Sequence, residues 1–268
     1  VERCTGHKPT LDLARDLDRV LGADELLVEL WSHLYREAFP DWSRAYMDAE
    51  ARAVEISAYM GHTVHGLLQT ADYARATLSV GRSLKTPEQL VERVAVRLAR
   101  QERLTLLDPP RLWVVLDEAV LMRPVGGARV MRAQMMRLLE AAEQSHISIQ
   151  VLPFSHGEHA AMGGSLNLLT LPDGTTLAYT EGADSGQLIE DQGEVKPYVV
   201  NYDQLRAEAL PTSMSLDMIR SVVEGSYRDA RVPTRSQRRR LAQKHVQQSG
   251  GWGVRRGGSR FSRPDTGA

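Results

Sequence analysis

A mixed α/β fold is predicted for this chain: a helical N-terminal part, then a mixed β-sheet with a βαβ unit, then C-terminal helices. Three observations carry that prediction. Two runs of strand character, Leu112–Leu116 and Ile147–Leu152, flank a stretch in which Val130, Met131, Met135, Leu138, Leu139 and Ala142 keep helical spacing. Strand, helix, strand over this length is a crossover, and a crossover implies parallel pairing. Two further strand candidates, 165–171 and 176–180, are joined by Pro172-Asp173-Gly174-Thr175, which is hairpin punctuation and makes the sheet mixed.

Taken in order, Thr10 is an N-cap candidate for a first helix carrying Leu13, Leu17, Val20 and Leu21, and Gly22 stops it. A second helix from Asp24 presents Leu26, Leu27, Leu30, Trp31 and Leu34. From 41 to 107 the pattern reads as helical, including Ala-rich sequence around 49–60, with a break at Gly66 and helices starting at Thr70 and Pro87. In the last of these, Val91, Val94, Leu98 and Leu104 form one apolar face, and Arg93, Arg97 and Arg100 lie off it. Helices return at 196–210 and 213–227, the second capped by Ser213 or Ser215. The expected organisation is a remnant of one domain at 1–34, an α/β domain at 35–228 and a tail at 229–268.

Charge is unevenly spread. The net charge is −1, yet residues 229–268 hold ten Lys/Arg against two Asp/Glu, leaving 23 basic and 32 acidic residues in 1–228. An acidic body repels nucleic acid at long range, so DNA contact requires a locally basic element. No apolar run approaches the roughly 18 residues of a membrane span, and the first residues lack the apolar stretch of a signal peptide, so a cytoplasmic location without membrane contact is expected. The lone Cys4 excludes an intramolecular disulfide and zinc sites built from several thiolates.

Candidate site residues fall in two groups. His156-Gly157-Glu158-His159 follows a strand, and with Glu181 or Asp184 it could assemble a two-His, one-carboxylate site. A zinc deaminase needs a following Cys-x-x-Cys, which is missing, so the segment is read as a polar or ligand-contact loop without metal. Asp117 and Glu118 end a strand and face opposite sides by alternation; Arg97 or Arg100 could pair with whichever is buried, and Gln101 and Gln134 could complete the network. A structural ion pair is favoured there over a catalytic acid. Leu67, Leu68 and Tyr73 read as packing residues at a helix junction. No Gly-rich phosphate loop with Lys, Gly-x-Ser-x-Gly elbow or cofactor motif is found, and enzyme activity is not expected.

The string Val64-His65-Gly66-Leu67-Leu68-Gln69-Thr70-Ala71-Asp72-Tyr73-Ala74-Arg75 resembles the signature of actinomycete Xre-type helix-turn-helix regulators, WhiJ-type proteins among them, whose C-terminal half is a domain of unknown function. The family's usual proline before Gly-Leu-Leu-Gln-Thr is His65 here. Arg97–Gln101, Leu116–Leu121, Gln150–Pro153 and Tyr202–Leu210 agree in the same order, covering about 35–227. The resemblance implies a transcriptional regulator whose α/β part senses a small ligand or binds a partner. Val1-Glu2-Arg3 resembles only the last turn of a recognition helix, whose N-terminal part makes the base contacts. The chain is therefore expected to be N-terminally truncated, with DNA binding requiring the complete helix-turn-helix.

The tail is Arg-, Gly- and Ser-rich, lacks a hydrophobic period, and reads as disordered. Shifted by one nucleotide, codons for 241–258 can encode the opening of the small acidic protein found downstream of such regulators. Sequence from about 229 is therefore expected to be out-of-frame read-through, and that acidic protein is the expected partner. Two other functions stay open: a cryptic hydrolase using the His156/His159 loop with Glu181, and a toxin-like protein neutralised by its partner.

Overall fold

Three parallel strands and three that alternate in direction share one sheet. In the computed structural model, which describes residues 11–30, 41–80, 86–182 and 185–225, the strands are β1 Glu55–Met60, β2 Arg111–Asp117, β3 Ile147–Leu152, β4 Ser165–Thr170, β5 Thr176–Glu181 and β6 Gly186–Ile189. Their order is β3-β2-β1-β4-β5-β6. β1, β2 and β3 pair in parallel, whereas β4, β5 and β6 each run antiparallel to the preceding neighbour. The expected βαβ unit is β2, helix Ala128–Ala141 and β3, and the expected hairpin is β4–β5, with Gly174 at φ +85° in its turn.

The helices are α1 Leu11–Leu21, α2 Asp41–Arg52, α3 Ala71–Leu78, α4 Pro87–Ala99, α5 Glu118–Met122, α6 Ala128–Ala141, α7 Gln192–Glu208 and α8 Thr212–Gly225, besides a helical turn at 26–30. Gly22 ends α1 at φ +60°, as expected, and the Asp18 carboxylate accepts the Leu27 and Val28 N–H groups at the start of the next turn. Thr10, Cys4, Trp31, Leu34, Asp184 and the tail lie outside the described residues.

Alternation along the strands sends Ile56, Ala58, Leu112, Val114, Leu116, Ile149 and Val151 to one face, where Met131, Met135 and Leu138 of α6 and Ile219 and Val223 of α8 close the larger core. Tyr59, Val115, Leu166, Leu168 and Ala178 take the other face, against Val195, Tyr202 and Leu205 of α7. Both faces are covered, so the central strands are buried on both sides.

Two strands depart from the expectation. The Ala-rich stretch read as helix ends at Arg52, and 55–60 is β1, the strand on which both halves of the sheet build. Its Ser57 and Ala58 carry little β signal, and its strand character comes from burial between β2 and β4. The other is β6, four residues at the sheet edge. Helix α7 starts four residues before Lys196, because the Asp191 carboxylate caps it by accepting the Gly193 and Glu194 N–H groups.

Ser215 lies within α8, fully buried, rather than at its cap. Its hydroxyl accepts the Val151 N–H at 2.9 Å and donates to the Leu210 carbonyl, while the Leu210 N–H bonds the Val151 carbonyl. The outer edge of β3 is thereby closed to further pairing. Ser215→Ala should cost about 1–3 kcal/mol, the usual penalty of an unpaired buried amide. Urea unfolding measures it; a wild-type midpoint would contradict the edge-closing role.

Candidate functional site

The C-terminal end of β1 runs into a segment, 61–70, held almost wholly by side chains. His65 has φ −55° and ψ 139°, the backbone that a proline would impose, and its Nδ1 accepts the Leu67 N–H at 3.3 Å, capping the 3-10 turn Gly66–Leu68. Because Nδ1 accepts, the ring proton sits on Nε2, which donates to Asn167 Oδ1 at 3.1 Å. Gln69 donates to the Val64 carbonyl, and the Tyr73 hydroxyl accepts the Val64 N–H. Thr70 caps α3 by accepting the Tyr73 N–H.

Two side-chain amides, Gln134 buried and Gln101 half-buried, finish the clamp. Gln101 donates to the carbonyls of Gly66 and Gln69, and Gln134, from α6, donates to the Leu68 carbonyl and accepts the Thr70 N–H at 2.7 Å. Gln101 and Gln134 thus hold this turn and do not complete the network expected around Asp117 or Glu118. Gly66 lets Arg97 pack close to the turn: a Cβ there would lie 3.2 Å from the Arg97 side chain, which would have to give way.

Beside the turn is a cavity of about 250 Å³. Its walls are α2 through Tyr46 and Met47, α4 through Arg93 and Arg97, with Arg100 following, the turn itself, and Asn167, Tyr179 and Glu181 from β4 and β5. β1 and β5 both point their C-terminal ends at it, the usual position of ligand sites in open α/β sheets. Positions 93, 97 and 100 share one helical face, so the arginines that lie off the apolar stripe of α4 line this hollow.

Arg100 meets Glu50 of α2 at 2.5 Å, and Glu50 also accepts the Tyr46 hydroxyl. Burial opposes ionisation of Glu50, yet Arg100 and the hydrogen bonds outweigh it and hold the carboxyl below its ordinary value. Arg103 donates to the carbonyls of Glu50 and Ala53, satisfying the end of α2. Tyr46 stacks on Tyr179 with ring centroids 4.2 Å apart. Arg97 donates to Gln69 Oε1 at 3.0 Å, and burial pulls its guanidinium down to about 10. Glu181, at the rim, is pushed up by desolvation while Arg97 and Arg100 draw it down.

The histidine loop forms a separate cluster on the face covered by α7. The Ala161 N–H donates to His159 Nδ1, placing the neutral ring's proton on Nε2, which faces the Tyr59 oxygen at 3.1 Å; the Tyr59 hydroxyl donates to Asp117 at 3.1 Å. The three side chains form one hydrogen-bonded chain. His156 reaches Glu208 at 3.1 Å, and Glu118 accepts the Phe154 N–H at 2.8 Å. His156 and His159 thus face Glu208 and Asp117 separately, and the two-His, one-carboxylate grouping with Glu181 does not assemble. Among the described residues no three His, Cys, Asp or Glu side chains are grouped to hold a metal ion.

Asp117 and Glu118 do not alternate as strand neighbours. Asp117 caps α5 by accepting the Ala119 N–H, and Glu118 is the first residue of that helix. Neither pairs with Arg97 or Arg100, because Glu50 supplies the carboxylate and lies closer to α4. Sequence reasoning passed over Glu50, Tyr46 and Tyr179; the Tyr46/Glu50 spacing of four residues on one helix was the available signal.

Residues 43–221 match the family described as a domain of unknown function (DUF5753), and the chain belongs to that family. No curated protein and no solved structure matches it. No helix among the described residues is long and apolar enough to cross a membrane.

Burial lowers His65 from 6.5 to about 4, against the pull of Glu50. Between those values the unfolded chain takes a proton that the folded chain refuses, so stability is full above about pH 6.5 and falls as pH drops toward 4, by up to about 1.4 kcal/mol per pH unit. Glu50 adds to the loss at the acid end, since its depressed carboxyl must eventually be protonated. Urea unfolding at pH 7, 6 and 5 measures the slope. His65→Asn, which can still accept the Leu67 N–H, should flatten it; an unchanged slope would show that His65 is not the group responsible.

Proposed function

We propose that this chain is the effector-binding portion of a transcriptional regulator of the Xre-type, WhiJ-like class, and that it is not an enzyme. The observation that carries the reading is the placement of the cavity: its wall is made partly by α2, the helix that follows residues 1–40. An occupant would bear on Tyr46 and Met47, and so on the segment leading toward the DNA-binding helices. Supporting this, the polar groups around the cavity fix one another and the turn, an arrangement suited to holding a molecule in one pose.

DNA contact belongs to a complete helix-turn-helix, and the small acidic partner protein rests on the resemblance alone. A hydrolase reading would draw on the His156/His159 loop with Glu181, but His159 faces Tyr59 and Asp117, and His156 faces Glu208. Chromatin immunoprecipitation of the tagged natural protein from its own cells tests the regulatory reading. Discrete promoter peaks are expected; a flat profile across the genome, with the protein present, would contradict it.

A further inference from the structure

We infer that the cavity is a receptor for a small organic monocarboxylate, recognised by the Arg97 guanidinium and the Tyr179 hydroxyl. The inference deepens the effector-site reading and rests on it for its biological use.

Two buried polar atoms in the cavity wall have no hydrogen-bond partner, Arg97 Nε and the Tyr179 hydroxyl. Native interiors leave few such atoms, and each costs the desolvation of its group. The one other among the described residues, His146 Nε2, lies before β3 and away from this site. Arg97 Nε can only donate and the Tyr179 hydroxyl can donate, so one acceptor group serves both. Both are explained together if an acceptor-rich occupant completes the wall.

Charge narrows the class. Glu50 compensates Arg100, whereas the hydrogen bond that Arg97 makes goes to the neutral amide of Gln69. A guanidinium short of an acceptor in a buried wall favours an anion. Glu181 at the rim, and Glu50 hydrogen-bonded to Tyr46 of the wall, would repel a second negative charge, which favours a carboxylate over a phosphate dianion. Met47, Met60, Val64 and Leu78 supply an apolar side for the body of the molecule. A volume of about 250 Å³ suits a metabolite rather than a drug-sized ligand.

Tyr179 also separates a binding role from a structural one. Its hydroxyl makes no bond within the fold, so Tyr179→Phe should leave the unliganded chain as stable as wild type or more so. The same change should weaken carboxylate binding about tenfold or more, the worth of one hydrogen bond to a charged group.

The test uses the full chain labelled with nitrogen-15 in arginine, with the Arg97 Nε–H resonance assigned through Arg97→Gln. Sodium benzoate and sodium hexanoate are titrated at millimolar concentration beside benzamide and inorganic phosphate. The expected result is a saturable shift of that resonance with at least one carboxylate, none with benzamide, weaker binding of phosphate, and the stated loss in Tyr179→Phe. Absence of a shift with both carboxylates, an equal response to benzamide, tighter binding of phosphate, or unchanged affinity in Tyr179→Phe would each overturn the inference. Promoter occupancy does not enter this readout, so a failed regulatory reading and a failed carboxylate site give different results.

Discussion

The site depends on one constraint: the chain leaving β1 must be held in an irregular path by side chains, because 64–70 has no strand or helix partner for most of its backbone. Gln69 within the segment, Gln101 from the helical turn Arg100–Thr105 and Gln134 from α6 supply those partners. Each amide is both donor and acceptor, so each can satisfy a buried carbonyl while a second atom serves a neighbour. Removing one would strand backbone groups in an interior where they cannot reach water. The turn in turn fixes Arg97, through Gln69 and through the missing Cβ of Gly66. Scaffold and cavity are one network.

His65 illustrates how the same backbone can be reached by different chemistry. A proline would fix φ by its ring. The histidine reaches the same region, caps the 3-10 turn with Nδ1 and ties it to β4 through Asn167. The exchange couples the turn to pH, since the bond to Leu67 requires an unprotonated Nδ1. The price of the cavity itself is visible in the same neighbourhood, where a cation and a hydroxyl are buried without full partners.

Much of the fold was legible because it is written in periodicity. The β2–α6–β3 unit and the β4–β5 hairpin follow from apolar spacing and from Pro172-Asp173-Gly174. β1 was hidden because its residues are small or polar and its helical flank is rich in alanine; pairing with β2 and β4, which no local pattern encodes, makes it a strand. The site was half legible. Arg97, Arg100, Gln101 and Gln134 stand out as polar residues on otherwise apolar helices; Arg97, Gln101 and Gln134 bear on the turn, and Arg100 pairs with Glu50. Their partners do not stand out, because Glu50 and Tyr179 lie about fifty and eighty residues away and are joined to them only by the fold.

Hydrogen exchange at the individual amides of the 64–70 turn reads out how firmly the side chains hold it. Val64, Leu67, Leu68 and Thr70 each donate to a defined acceptor inside the protein. The account predicts that these four amides exchange as slowly as those of β1 and β2, opening only with global unfolding. Exchange at the rate of an exposed loop, with the sheet still protected, would mean that the turn is not fixed by its side-chain amides and that the cavity has no rigid wall.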